Sequence, residues 1–253
     1  MYGRGGGTNY SMDEIEKEFS FFLDRGVDCI KMKVGKDFGS RMDEDVQRVR
    51  QIRKTFGTGF RLALDANQIW DTPQAAEFSK RVEEYHIEWF EEPVHSAGIT
   101  EIRKLCSQSP LKISYGESER TSKVFPSLAE AGVQHFQPIP TQFSGMAEWL
   151  EVKELAIKNH IDFSAGGYSW FSTSFIATAP ENCMVEYLHS LLSGIEVYFE
   201  ISPKWAGNKF IIPDVHGVPV KINWEYCRKE NKIVEDRLWK RQITDRYLPT
   251  VSL

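Results

Sequence analysis

Apolar and polar positions along most of the chain alternate between two periods, and that alternation predicts the fold. Between Ser11 and Gly26, the residues Ile15, Phe19, Phe22 and Leu23 recur at helical spacing, behind a Ser11–Glu14 capping box and ahead of a glycine able to end the helix. Cys29 to Val34 then reads as a short strand. A helix follows with Val46, Val49, Ile52 and Phe56 on one face, stopped by Gly57. RLALDAN (61–67) is again a strand, and Thr72-Pro73 opens a helix whose buried face is Phe78, Val82 and Tyr85. IEWFEEP (87–93), KISYGES (112–118), VQHFQP (133–138), IDFSAGG (161–167) and CMVEYL (183–188) continue the strands, with helices near 122–131, 145–159 and 169–179.

With the residues around Tyr2 as a first strand, the count is eight strands, whose seven intervals make seven helices. Strands and helices alternating at this pitch imply parallel βαβ units, and eight of them predict an α/β fold of the TIM-like (β/α)7β barrel type. An open doubly wound sheet is the alternative, but neither G-x-G-x-x-G nor a phosphate-binding loop is present to support it. After about residue 190 the periodicity dissolves. The expected division is therefore a barrel over 1–190 and a C-terminal extension over 191–253 that packs on it.

Composition narrows the function classes. The net charge of −5, without a basic run, argues against nucleic-acid backbone binding. No run of about 18 apolar residues is present, and MYGRGGGTNY resembles no signal or transit peptide. The four cysteines (Cys29, Cys106, Cys183, Cys227) are scattered without C-x-x-C spacing, as expected of free thiols in a reducing cytoplasm.

Catalytic groups of such barrels stand at the C-terminal ends of strands. Asp65, Glu91 and Glu117 each end a predicted strand and lie 26 residues apart, one βα unit per step. A single acid at a strand end often caps a helix or pairs with a cation. Three from successive strands form a hard oxygen set suited to Mg²⁺. Glu92 is expected to face away. One strand earlier, Lys31 and Lys33 share a face with Met32 between them, so both ammonium groups should point into the barrel mouth. Each disfavours charging of the other, which suits a lysine base near neutral pH. Together these groups predict removal of the proton α to a carboxylate, with the cation stabilising the resulting enediolate.

The motifs K-M-K (31–33), L-D-A-N (64–67), W-F-E-E-P (89–93), Y-G-E (115–117) and V-E-Y (185–187) resemble the enolase superfamily, mandelate racemase branch. The resemblance runs from about Tyr2 to Glu186, with a weaker echo in I-P-D-V-H-G (212–217). It implies one Mg²⁺ on Asp65, Glu91 and Glu117, Lys33 as the base, and Lys31 helping to hold the substrate carboxylate. It also implies that Glu186 hydrogen-bonds the enediolate oxygens.

Two departures stand out. Where that branch carries an Asp after the sixth strand and a His after the seventh, this chain has Ile139 and Gly166. Two-base racemisation then lacks a partner, whereas a dehydratase can work from one face. Tyr168 and His189 are the candidate replacement donors; His86, His95, His135, His160 and His216 are expected to be structural. The N-terminal capping domain of the branch is expected to be absent. The expectation is a cytoplasmic homo-oligomer that acts as an acid-sugar dehydratase on a small carboxylate, without nucleic-acid or membrane partners. A racemase or epimerase with an unconventional second base, and a non-catalytic metal-binding barrel, are the rival readings.

Overall fold

The structure, a computed structural model, describes residues 1–233. Eight parallel strands close into a barrel in chain order: β1 (Tyr2–Gly5), β2 (Cys29–Lys33), β3 (Arg61–Asp65), β4 (Ile87–Glu91), β5 (Ile113–Tyr115), β6 (His135–Phe136), β7 (Asp162–Ala165) and β8 (Met184–Tyr187). Seven helices connect them: α1 (Met12–Leu23), α2 (Met42–Phe56), α3 (Thr72–Arg81), α4 (Ile99–Gln108), α5 (Phe125–Glu130), α6 (Met146–Lys158) and α7 (Ser169–Ile176). The predicted fold is the observed one.

Local chemistry explains the helix boundaries. Ser11 and Glu14 form the reciprocal capping box of α1, whose Ile15, Phe19 and Phe22 are buried. Asp71 and Gln74 do the same for α3, with Pro73 in its first turn. Helix α2 carries Asp43, Glu44 and Asp45 in its first turn and Arg53 and Lys54 in its last, complementing the helix dipole.

Strand alternation sorts the core into two layers. Outward positions such as Met32, Leu62, Leu64, Phe90, Ile113 and Phe136 join the helices in one large apolar cluster. Inward positions Tyr2, Cys29, Ala63 and Trp89 form a second, small cluster inside the barrel. Above and beside it the interior turns polar. His135 bridges the Ser114 and Ser164 hydroxyls at 2.7 and 3.0 Å and lies tilted on Trp89. Burial depresses its pKa to about 3.

Several strands are shorter than the sequence predicts. β5 stops at Tyr115 because Gly116 takes a φ of 142°, where a Cβ would meet the Gln137 backbone at 2.8 Å. Glu117 therefore stands on the loop after β5 rather than on the strand itself. Beyond β8 lie α8 (His189–Leu192), the antiparallel pairs β9 (Phe199–Ile201) with β12 (Lys221–Ile222) and β10 (Lys204–Ala206) with β11 (Lys209–Ile211), and α9 (Trp224–Lys229). Elements of two to six residues carry no period to read, so the sequence shows none of them. Phe199 meets Trp170, and Trp205 and Phe210 meet Tyr187. The last part of the expected extension, 234–253, lies outside the described residues.

Candidate metal centre

Strand register sets the floor of the site. Lys33, Asp65 and Glu91 stand opposite one another on β2, β3 and β4. With Glu117 from the loop after β5, the carboxylates offer ligand atoms within 4.8 Å of one another. Three hard oxygen donors this close are a fit for a divalent cation such as Mg²⁺. Their electrostatics point the same way. Burial and the Asp65 charge push Glu91 well above the ordinary carboxylate range despite Lys31, and burial also raises Glu117. Burial works against ionisation of Asp65 too, but Lys33 and Lys31 together hold it far below the usual value.

The two lysines on one strand face have different fates. Lys31 is 1% exposed, and its Nζ lies 2.7 Å from Glu91 Oε1, 3.0 Å from Glu186 Oε1 and 3.2 Å from Asp65 Oδ2. Burial alone would favour the neutral amine, yet Glu186, Glu91, Tyr2 and Asp65 outweigh it and raise the Lys31 pKa well above that of an ordinary lysine. The expected effect of mutual repulsion, a lysine less readily charged, does not hold for Lys31, whose carboxylate partners favour the ammonium form. Lys33 sits higher, bonded to Asp65 and to Asn67 Oδ1, and opens onto a cavity of about 550 Å³ at the barrel mouth.

That cavity is also lined by Arg4, Glu117, Ile139, Tyr168 and Glu186. Glu186 accepts the Gly167 N–H at 3.2 Å as well as its bond from Lys31. Ile139 fills the space beside the two glycines. A Cβ on Gly166 would meet Gln137 Nε2 at 3.0 Å, and one on Gly167 would meet Ile139 Cγ2 at 2.6 Å. The β6–β7 wall thus presents aliphatic carbon and backbone where a second acid/base pair is expected. Tyr168 borders the cavity and is 57% exposed. His189 is not among the residues that line it: its ring stacks on Phe21 at 4.0 Å and meets Tyr187 and Trp205. A larger cavity, between Tyr198, Phe199 and Trp224, lies among the tail elements and contains none of the carboxylates.

Supporting residues escaped the sequence reading. Asn67 bonds Lys33 and donates to Glu117 Oε1 at 3.0 Å, and Gln137 Nε2 donates to Glu91 Oε1 at 3.0 Å. Glu92 turns away from the trio, as expected. It accepts from Gln68 Nε2 at 2.8 Å and Ser118 Oγ at 3.0 Å, tying together the loops after β3 and β5, and burial raises its pKa to about 7. The signal for Gln137 was available: it follows His135 by two and so shares the inward face.

A family model described as "Enolase C-terminal domain-like" matches residues 14–226. L-talarate/galactarate dehydratase of Salmonella typhimurium is 28% identical over 156 residues, covering 61% of this chain and 38% of that protein. Arabinonate dehydratase of Saccharolobus solfataricus is 23% identical over 219 residues, covering 83% and 57%. The chain thus spans between 38% and 57% of the length of these two relatives. Among solved structures, a racemase from Streptomyces coelicolor with bound magnesium superposes with a TM-score of 0.81 at 23% identity, covering 90% of this chain and 62% of that one. Among the described residues, no helix is long and apolar enough to cross a membrane.

Proposed function

The chain belongs to the enolase C-terminal domain-like family, and from that premise we propose that it is the barrel of a Mg²⁺-dependent acid-sugar dehydratase. The observation that carries the reading is the placement of Lys33: its ammonium group is bonded to Asp65 at the edge of the three-carboxylate cluster and opens onto the mouth cavity. Asp65, Glu91 and Glu117 would hold the cation, which when bound supplies positive charge that acidifies the proton α to a carboxylate. Lys33, in its amine form, takes that proton. The C–H electron pair becomes a carbon–carbon double bond as the β-hydroxyl departs, and Lys33 returns the proton to that oxygen, releasing water and an enol that rearranges to the 2-keto acid. Lys31 remains charged beneath the site and keeps Glu186 and Glu91 in place.

The β6–β7 wall favours elimination over racemisation, because inversion needs a donor on the face where Ile139, Gly166 and Gly167 stand. Two of the relatives are dehydratases, and two others are epimerases. The deciding experiment is solvent-deuterium exchange over a panel of sugar acids, with and without Mg²⁺. Mg²⁺-dependent exchange that disappears in Lys33→Met is the expected result. No exchange with any acid, or exchange untouched by Lys33→Met, would refute it. Product of inverted configuration without loss of water would replace it with an epimerase.

A further inference from the structure

Locked among Glu91, Asp65 and Glu186, and absent from the lining of the mouth cavity, Lys31 has no free donor to offer a substrate. Another cation is better placed. Arg4 stands on β1 directly opposite Lys31, and two residues from the inward-facing Tyr2, so its side chain projects from the same inner face one level nearer the mouth. It lines the cavity beside Lys33 and Glu186. Among the described residues it makes no hydrogen bond and no ion pair. An electrostatic neighbour is Glu18, whose carboxylate already accepts the Gly6 N–H at 2.6 Å.

We propose that Arg4 is a substrate-binding residue that takes the carboxylate of the acid, the role that resemblance assigns to Lys31. The proposal rests on the acid-sugar reading of the site. Position supports it: Arg4 lines the same cavity as Lys33 and Glu186 and stands outside the ion-pair cluster that holds Lys31. Shape supports it too, since a guanidinium fork matches the two oxygens of a carboxylate and a lysine does not. A half-buried guanidinium that lines a cavity without a hydrogen bond, its neighbour Glu18 already bonded to the Gly6 N–H, is a good anion receptor.

The test uses glycolate, the smallest α-hydroxy carboxylate and one without a stereocentre, and its neutral amide glycolamide. Both are titrated by NMR into the whole chain at saturating Mg²⁺. Arg4→Gln should weaken glycolate about tenfold to a hundredfold and leave glycolamide unchanged, with Arg4→Lys between the two. Mg²⁺ affinity and melting temperature, unchanged in Arg4→Gln, certify that the variant is folded; Arg4→Lys carries the comparison if they move. Equal glycolate binding by the parent and Arg4→Gln overturns the proposal. So does failure of the parent chain to bind glycolate, or a loss confined to Lys31→Met. Deuterium exchange reports separately on the reaction. Arg4-dependent binding without exchange sustains this inference and sinks the dehydratase, and exchange without Arg4 dependence does the opposite.

Discussion

On the β2–β5 side of the mouth stand Lys33, Asp65, Glu91 and Glu117, buried or half-buried and held by one another, by Asn67 and by Gln137. Across the mouth, the β6–β7 side offers Ile139, Gly166 and Gly167. One side concentrates ionisable side chains, and the other supplies aliphatic carbon and the Gly167 N–H that Glu186 accepts. Under the proposed function, proton traffic would come from the first wall and the second would serve as a shaped surface.

The comparison can be broken at several points. The largest effect is expected from Lys33→Met, which should lower α-proton exchange by roughly 10²–10⁴-fold. Exchange that survives would move the base to the opposite wall, with Tyr168 as the candidate. Next, Lys31→Met leaves Glu91, Asp65 and Glu186 without their shared cation, and the metal-free chain should lose about 3–5 kcal/mol in urea unfolding. Mg²⁺ should restore part of that loss, and an unchanged unfolding midpoint would mean that the buried carboxylates do not depend on the lysine. On the apolar wall, Gly167→Ala should cost about 1–3 kcal/mol, because its Cβ would lie 2.6 Å from Ile139 Cγ2 at a φ of +79°. Ile139→Ala in the same chain should recover some of it. If Gly167→Ala is neutral by thermal melting, the wall is looser than its contacts imply.

The most gradual effect, spread over several pH units, concerns the histidine that joins the two sides from below. Stability rises with pH wherever the unfolded chain binds more protons than the folded one. His135 is neutral when buried, with a pKa of about 3 against an ordinary 6.5, so its contribution is complete above pH 6.5 and declines as pH falls toward 3. The slope should be about 1.4 kcal/mol per pH unit. Urea midpoints of the parent and His135→Gln across that window should diverge, and parallel curves would contradict the buried neutral ring.

Much of this was legible in the chain. Regular 26-residue steps between Asp65, Glu91 and Glu117 reveal three neighbouring strand ends, because each βα unit must return to the same level of the barrel. Faces were legible as well: Lys31 and Lys33 do point inward while Met32 joins the outer cluster. Depth was not. A period of two says which way a side chain points and nothing about how far up the barrel its end reaches. Hence the buried, triply paired state of Lys31 emerges only in three dimensions. The surroundings of His189 were not legible for another reason, since its ring packs on Phe21 of α1 and Trp205 of β10, both remote in sequence. Arg4 was overlooked because a strand of four residues around Tyr2 has too little pattern to assign a face.

The pairing of β1 with β8, Tyr2 against Glu186, has a consequence in time. Asp65, Glu91 and Glu117 arise from three consecutive units, so a growing chain can gather them long before its sheet is closed. Arg4 and Glu186 become neighbours across the seam only when the eighth strand reaches the first. Until then one edge of β1 stays bare, and long-range pairings of this kind are the slow ones in folding. A refolding chain should therefore acquire affinity for a cation earlier than affinity for a carboxylate, the ability to recognise its ligand arriving with the last strand.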